Sequence, residues 1–166
     1  LDKKADPSTL RLLMQRDVTV DEHGRTSELT LGGDTRRLRT PLIGRHQASN
    51  TSLAILMLKD AGARYFSSLE EVASGLGQVR LPGRFQRVGR FIFDVAHNPD
   101  GSEVLARTLS VVQPSRPVVA LLCVLGDKDW KNIMHALSGS VDLFVLTDAP
   151  TAPESRLWSL RGARAY

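Results

Sequence analysis

Residues 118–125 read Val-Val-Ala-Leu-Leu-Cys-Val-Leu, the longest unbroken apolar run in the chain. A strand with one face in water alternates apolar and polar residues. A continuous run of this length, bounded by polar residues, instead predicts a strand covered on both faces of a parallel sheet. The pattern around it is β, α, β, α, β. Strands are expected at 85–88 and 91–95 about Gly89. Asn98 caps, and Pro99 opens, a helix carried by Val104, Leu105, Leu109 and Val112 to Gln113. After the apolar strand comes a helix with Trp130, Ile133, Met134 and Leu137, then a strand over 143–146. That alternation predicts an open α/β sheet with helices packed on it. No apolar run approaches the roughly 20 residues of a membrane span.

The preceding residues follow another pattern. Val18 and Val20 alternate with polar residues, Asp21-Glu22-His23-Gly24 is a turn signal, and Leu29 and Leu31 alternate again. The first 41 residues thus read as β-rich, with a Gly32-Gly33-Asp34 turn and an extended piece to Thr40. Over 45–61 the period becomes helical, placing Ala48, Leu53, Ala54, Met57, Leu58 and Ala61 on one face, with Gly62 as the stop. Ser67 and Glu70 have capping-box spacing for a second, short helix that fades by Gly75 and Gly77. Leu81-Pro82-Gly83 then marks the expected domain boundary, giving one domain over 1–80 and another over 83–166.

Composition excludes several chemistries. Net charge is +4, spread along the chain, and lysine occurs only at Lys3, Lys4, Lys59, Lys128 and Lys131. A nucleic-acid surface would cluster such charge with aromatics, and Arg36-Arg37-Leu38-Arg39 has no aromatic neighbour. Cys123 is the single cysteine, which precludes an internal disulfide and a structural zinc site and suits a reducing cytoplasm. Its place inside an apolar strand disfavours a reactive thiolate. There is no G-x-S-x-G elbow, no G-x-G-x-x-G fingerprint and no G-x-x-x-x-G-K-[ST] loop.

Ligands of open α/β sheets gather beyond the carboxyl ends of the strands. Two polar loops fall there: Asp94-Val95-Ala96-His97-Asn98-Pro99-Asp100 and Gly126-Asp127-Lys128-Asp129-Trp130. Asp94 closes a strand, where an acid suits a ribose hydroxyl. His97 precedes a helix N-terminus, a place favourable to anions. Asp94 and Asn98 read equally well as turn and cap residues. Arg84, after a Pro-Gly turn, suits two-pronged phosphate recognition or is a solvated surface charge. Asn50 suits a base edge or is an ordinary polar face residue.

In order, Pro41-Leu42-Ile43-Gly44-Arg45-His46-Gln47, Asn50, Leu81-Pro82-Gly83-Arg84-Phe85-Gln86 and Asp94-Val95-Ala96-His97-Asn98-Pro99-Asp100-Gly101 resemble the folylpolyglutamate and dihydrofolate synthase family of the Mur ligase superfamily. The Gly126-Asp127-Lys128-Asp129 loop is similar to that family's loop after the second strand of its C-terminal domain. The resemblance implies a Rossmann-like C-terminal domain preceded by the closing strands and helices of a central ATPase domain. It also implies joining of L-glutamate to a folate carboxylate with ATP and Mg²⁺, through an acyl phosphate, in the cleft between those domains. Asn50 is then expected to contact adenine, Arg84 the phosphates and Asp94 the ribose, with His97 at the reacting centre.

The resemblance lacks the family's P-loop and magnesium ligands, so the chain is expected to be a fragment, truncated in its C-terminal domain and inactive alone. The parent is expected to be cytoplasmic and monomeric, with no nucleic-acid or membrane partner. A cell-wall Mur ligase shares the architecture; the His-Gln after Gly44-Arg45, Gln86 and the His97-Asn98-Pro99 loop favour the folate branch. A non-catalytic basic α/β binding module is the remaining alternative.

Overall fold

The computed structural model describes residues 13–21 and 23–166. The β reading of residues 1–12 and the turn position Glu22 lie outside the described residues. The described chain divides into two compact units, one ending at Phe91 and the other spanning Ile92–Tyr166.

The first unit begins with an antiparallel meander of β1 (Leu13–Asp21), β2 (Gly24–Leu31) and β3 (Asp34–Thr40), in that spatial order. Leu31 pairs with Asp34 across the Gly32-Gly33 turn, and Arg25 pairs with Thr40 at the far end. Gly24 is required where it stands. Its φ is +144°, and a Cβ there would lie 2.3 Å from the Thr40 carbonyl oxygen. Leu29 and Leu31 of β2 and Leu38 of β3 point into a core completed by Ile55, Leu56 and Leu69. The last three come from α1 (His46–Asp60) and α2 (Leu69–Leu76).

The buried face of α1 differs from the expected one. Gln47, Ala48, Thr51, Ser52, Ile55 and Leu56 are buried, whereas Leu53, Met57 and Leu58 are exposed. The helix has apolar residues on both sides, spacing alone favoured the wrong one, and a charge decides. Arg25, only 2% exposed, reaches from β2 to donate to Ser27 Oγ at 2.7 Å and Thr51 Oγ1 at 2.9 Å. Thr51 passes a bond on to the Gln47 carbonyl at 2.7 Å. Burial holds the Arg25 pKa down to about 10, so the guanidinium remains a cation at neutral pH and needs these oxygens. The start of α2 also differs by one residue. Ser68, not Ser67, caps it and accepts from the Glu71 N–H, because Ser68 with Glu71 has the same spacing and this register puts Leu69 into the core.

Beyond Phe85 the hairpin strands β4 (Gln86–Val88) and β5 (Phe91–Phe93) pair with each other. The second unit continues with α3 (Pro99–Val112), β6 (Val119–Leu122), α4 (Trp130–Leu137), β7 (Leu143–Leu146) and a short α5 (Leu160–Arg164). β6 and β7 are parallel, in register from Val119 with Leu143 to Leu122 with Leu146, so β6–α4–β7 is a βαβ unit of a mixed α/β fold. Ala120, Leu122, Phe144 and Leu146 pack against a core of Val124, Ile133, Leu137, Val141, Trp158 and Ala163.

The expectation that residues 118–125 are covered on both faces is corrected. Val119, Leu121, Leu143 and Val145 are 53, 72, 56 and 44% exposed, because the helices that contribute to this core lie against the other face. β6 ends at Leu122, and Cys123 beyond it is exposed rather than inside a strand. Among the described residues no helix is long and apolar enough to cross a membrane.

Two predictions follow from these buried and bridging charges. Arg25→Ala strips β2 of its bonds to α1 and leaves a void, so the first unit should lose about 2–4 kcal/mol. Faster amide exchange along β2 would register the loss, and unchanged exchange would refute the role given to Arg25. In the second unit Asp142 accepts from the Val118 N–H and from Arg116, each at 2.6 Å. First the Val118 N–H, then Arg116, hold its carboxyl below the usual carboxylate range against partial desolvation. A lowered folded-state pKa stabilises the fold above the unfolded value of about 3.9, and the gain is lost as pH falls through the folded value. Asp142→Asn should therefore unfold more easily than wild type at neutral pH, with the gap closing in acid. Fluorescence of Trp130 and Trp158, both in this unit, reads the transition; a gap independent of pH would refute the assignment.

Candidate functional site

The four candidate residues fall two to each unit. In the second unit the residues after β5 form a tightly bonded strand-to-helix loop. Asp94 Oδ1 accepts from the Ala96 N–H at 2.8 Å. The His97 Nδ1 lies 3.0 Å from the Val95 carbonyl oxygen. A carbonyl only accepts, so Nδ1 donates and Nε2 is the basic nitrogen of the neutral ring. Asn98 Oδ1 accepts from the Gly101 N–H at 2.8 Å, and Pro99 stands at the first helical position. Ser102, fully buried, donates through Oγ to the Asn98 carbonyl at 3.0 Å. The structural readings of Asp94 and Asn98 as turn and cap are thus both realised, and they hold Asp94 and His97 in one short exposed segment.

In the first unit Arg84 is exposed at the rim of a cleft of about 240 Å³ with Arg80, Phe85 and Arg87. Asn50 stands on α1, where its Nδ2 donates to Gln47 Oε1 at 3.1 Å. Asn50 is not among the residues lining that cleft. Arg84 and Asn50 therefore occupy separate places in this unit, while Asp94 and His97 share one loop.

The second polar loop is committed to structure. The Gly126 N–H donates to the Arg156 carbonyl at 2.7 Å, and a Cβ at Gly126 would lie 2.5 Å from the Leu157 carbonyl oxygen. Arg156 Nη2 donates to both Asp127 oxygens, at 3.0 and 3.2 Å. Partial desolvation opposes ionisation of Asp127, and Arg156 with Lys128 outweighs it, so its pKa falls below the usual range. Asp129 caps α4 and is likewise lowered, first by its side-chain bond from Asn132. Sequence reading missed Arg156 because it lies 29 positions away. It also missed Asp148, just past β7, whose Oδ1 is buried without a hydrogen-bond partner among the described residues; its only sequence signal is its place after a strand. Among the described residues no group of three His, Cys, Asp or Glu is placed to hold a metal, and no step is assigned to magnesium.

Residues 83–162 match the family model of the Mur ligase glutamate ligase domain. Over 156 residues the chain is 35% identical to a dihydrofolate synthase/folylpolyglutamate synthase of Mycobacterium tuberculosis, covering 87% of this chain and 32% of that protein. The crystal structure of a folylpolyglutamate synthase from the same organism, complexed with ADP and AMPPCP, matches with a TM-score of 0.71 at 29% identity over 91% of this chain and 34% of that one. A UDP-N-acetylmuramoyl-L-alanyl-D-glutamate–2,6-diaminopimelate ligase of Caulobacter vibrioides is 29% identical over 122 residues, 70% of this chain and 25% of that protein. The chain thus spans about a third of the length of the synthases it matches. With the β5–α3 loop, the Pro-Gly-Arg turn and the β6–α4–β7 unit all in place, residues 83–162 are a Mur ligase glutamate ligase domain, and the chain is similar along most of its length to folylpolyglutamate and dihydrofolate synthases.

Proposed function

We propose that this chain is part of an ATP-dependent ligase that joins L-glutamate to a folate carboxylate. The observation that carries the reading is the coexistence of Gly83-Arg84-Phe85-Gln86 and Asp94-Val95-Ala96-His97-Asn98-Pro99 in a chain similar along most of its length to the named synthases. In the proposed reaction the folate carboxylate attacks the γ-phosphorus and ADP leaves, giving an acyl phosphate. The glutamate amine then attacks the acyl carbon, phosphate leaves, and the new amide nitrogen sheds a proton. We assign adenine contact to Asn50, phosphate contact to Arg84 and ribose contact to Asp94. His97, with Nε2 as its basic nitrogen, is assigned to the substrate or to that proton. We place the domain change at Leu81-Pro82-Gly83, ahead of the division between the compact units after Phe91, so that Arg84 belongs to the second domain; the start of the family match at residue 83 supports this. On this reading the enzyme is cytoplasmic and monomeric.

The similarity to a diaminopimelate ligase supports a second reading, a cell-wall peptide ligase. Nucleotide binding is common to both. The amide product formed by a protein carrying this chain, from a folate and L-glutamate or from a UDP-muramoyl peptide and diaminopimelate, separates them.

Two outcomes test the proposal. The 166-residue chain alone should release no ADP from ATP, because it has no P-loop to stabilise the transferring phosphoryl group. ADP release above that of a mock preparation would refute this division of labour. Asp94→Asn keeps an oxygen for the Ala96 N–H but loses the charge. Charge-assisted bonds are worth about 1.5–3 kcal/mol, so ADP should bind about tenfold more weakly or worse. The deficit should shrink for dideoxy-ADP, which has no ribose hydroxyls to offer. Equal deficits with both nucleotides in a calorimetric titration would make Asp94 a turn residue and remove the ribose assignment.

A further inference from the structure

Arg84 is presented by an unusually constrained stretch of backbone. Leu81 to Arg84 close a β-turn in which the Arg84 N–H donates to the Leu81 carbonyl at 3.3 Å. Pro82 occupies the second position and Gly83 the third, with φ +70°, the arrangement of a type II turn. The next residue, Phe85, also adopts a left-handed φ of +48°. A bulky residue rarely does so, and here its ring is 4% exposed, so packing holds it against the backbone preference. Two left-handed residues so close together fold the chain back on itself. Gln86 is thereby returned toward the turn, and its Oε1 accepts from the Gly83 N–H at 3.1 Å.

We propose that Gln86 is the positioning residue for Arg84, holding the Pro82-Gly83 turn in the one geometry that projects the Arg84 guanidinium toward a nucleotide phosphate. This rests on the assignment of Arg84 as a phosphate contact. The chemistry suits the place. An amide oxygen accepts the Gly83 N–H as a carboxylate would, but brings no negative charge to a site meant for a polyanion. A side chain one methylene shorter would not span the return. Gln86 is exposed, so its replacement removes a bond at the turn without opening the core.

The test is a double-mutant cycle on the 166-residue chain, with ADP titrated by NMR into wild type, Arg84→Ala, Gln86→Leu and the double variant. Amide exchange at Gly83 is read in each. Gln86→Leu should speed exchange at Gly83 and weaken ADP about fivefold to tenfold when Arg84 is present. In the Arg84→Ala background it should change affinity by less than about twofold, because residues acting through one another are non-additive. A purely structural role would instead give the same loss in both backgrounds, and that result overturns the proposal. Weakening by Arg84→Ala with none by Gln86→Leu overturns it too, leaving the phosphate role of Arg84 intact. Affinity unchanged in Arg84→Ala, or no saturable binding by wild type, overturns the underlying assignment of Arg84 and the inference with it.

Discussion

A helix begins with backbone N–H groups that no earlier turn can satisfy, and among the described residues this chain answers the same demand in the same way at four helices. Ser68, Asn98, Asp129 and Ser159 each accept from the N–H three residues on. At α3 and α5 that third residue is glycine, and a Cβ at Gly101 or Gly162 would come within 3.0 Å of the capping oxygen. The exception is α1, whose first residues follow Arg45 with no side-chain cap. Arg25 anchors that helix from β2 instead, through Thr51. The strand-to-helix loop that carries Asp94 and His97 is short because the Asn98 cap fixes where α3 starts.

Local chemistry was therefore legible in the sequence, and relations across the chain much less so. Asn98 followed by Pro99 announces a helix start whatever surrounds it, and Trp130 to Leu137 shows its apolar face by spacing alone. The α1 helix carries apolar residues on two faces, and their spacing pointed to the Leu53, Met57 and Leu58 side. A buried arginine 26 positions earlier decides otherwise, and no window of helical length contains it. The run at 118–125 misled for a related reason. Continuous apolarity records what a strand tolerates, whereas coverage depends on where helices lie, and the odd-numbered side chains of β6 and β7 face outward.

The candidate site divides along the same line. Asp94 and His97 were found by position, at the end of a strand and before a capped helix, and the loop keeps them together. Arg84 was found by its Pro-Gly turn, but the left-handed Phe85 behind it has no sequence signature, since nothing in an aromatic residue announces a positive φ. The Gly126–Asp129 loop looked as rich in polar groups as the first. Its carboxylates proved to be spent on Arg156 and on the cap of α4, which leaves it a joint rather than a second candidate.

The caps also bear on which part of a nucleotide each loop suits. A free helix N-terminus attracts anions because several N–H groups point outward there. At α3 the Gly101 N–H is taken by Asn98, the Ser102 N–H by the Asn98 carbonyl, and Asp100 places a carboxylate in the first turn. Pro99 has no N–H to offer. This terminus is poorly equipped for a phosphate, and an adjacent Asp94 would repel one further. The same groups are well matched to hydroxyls, which donate to a carboxylate and bring no charge. The arginine-rimmed cleft with Arg80, Arg84 and Arg87 has the opposite character. Within each unit the electrostatics is compatible with the roles proposed for Asp94 and Arg84, and weighs against the anion-binding role that the helix position of His97 first suggested.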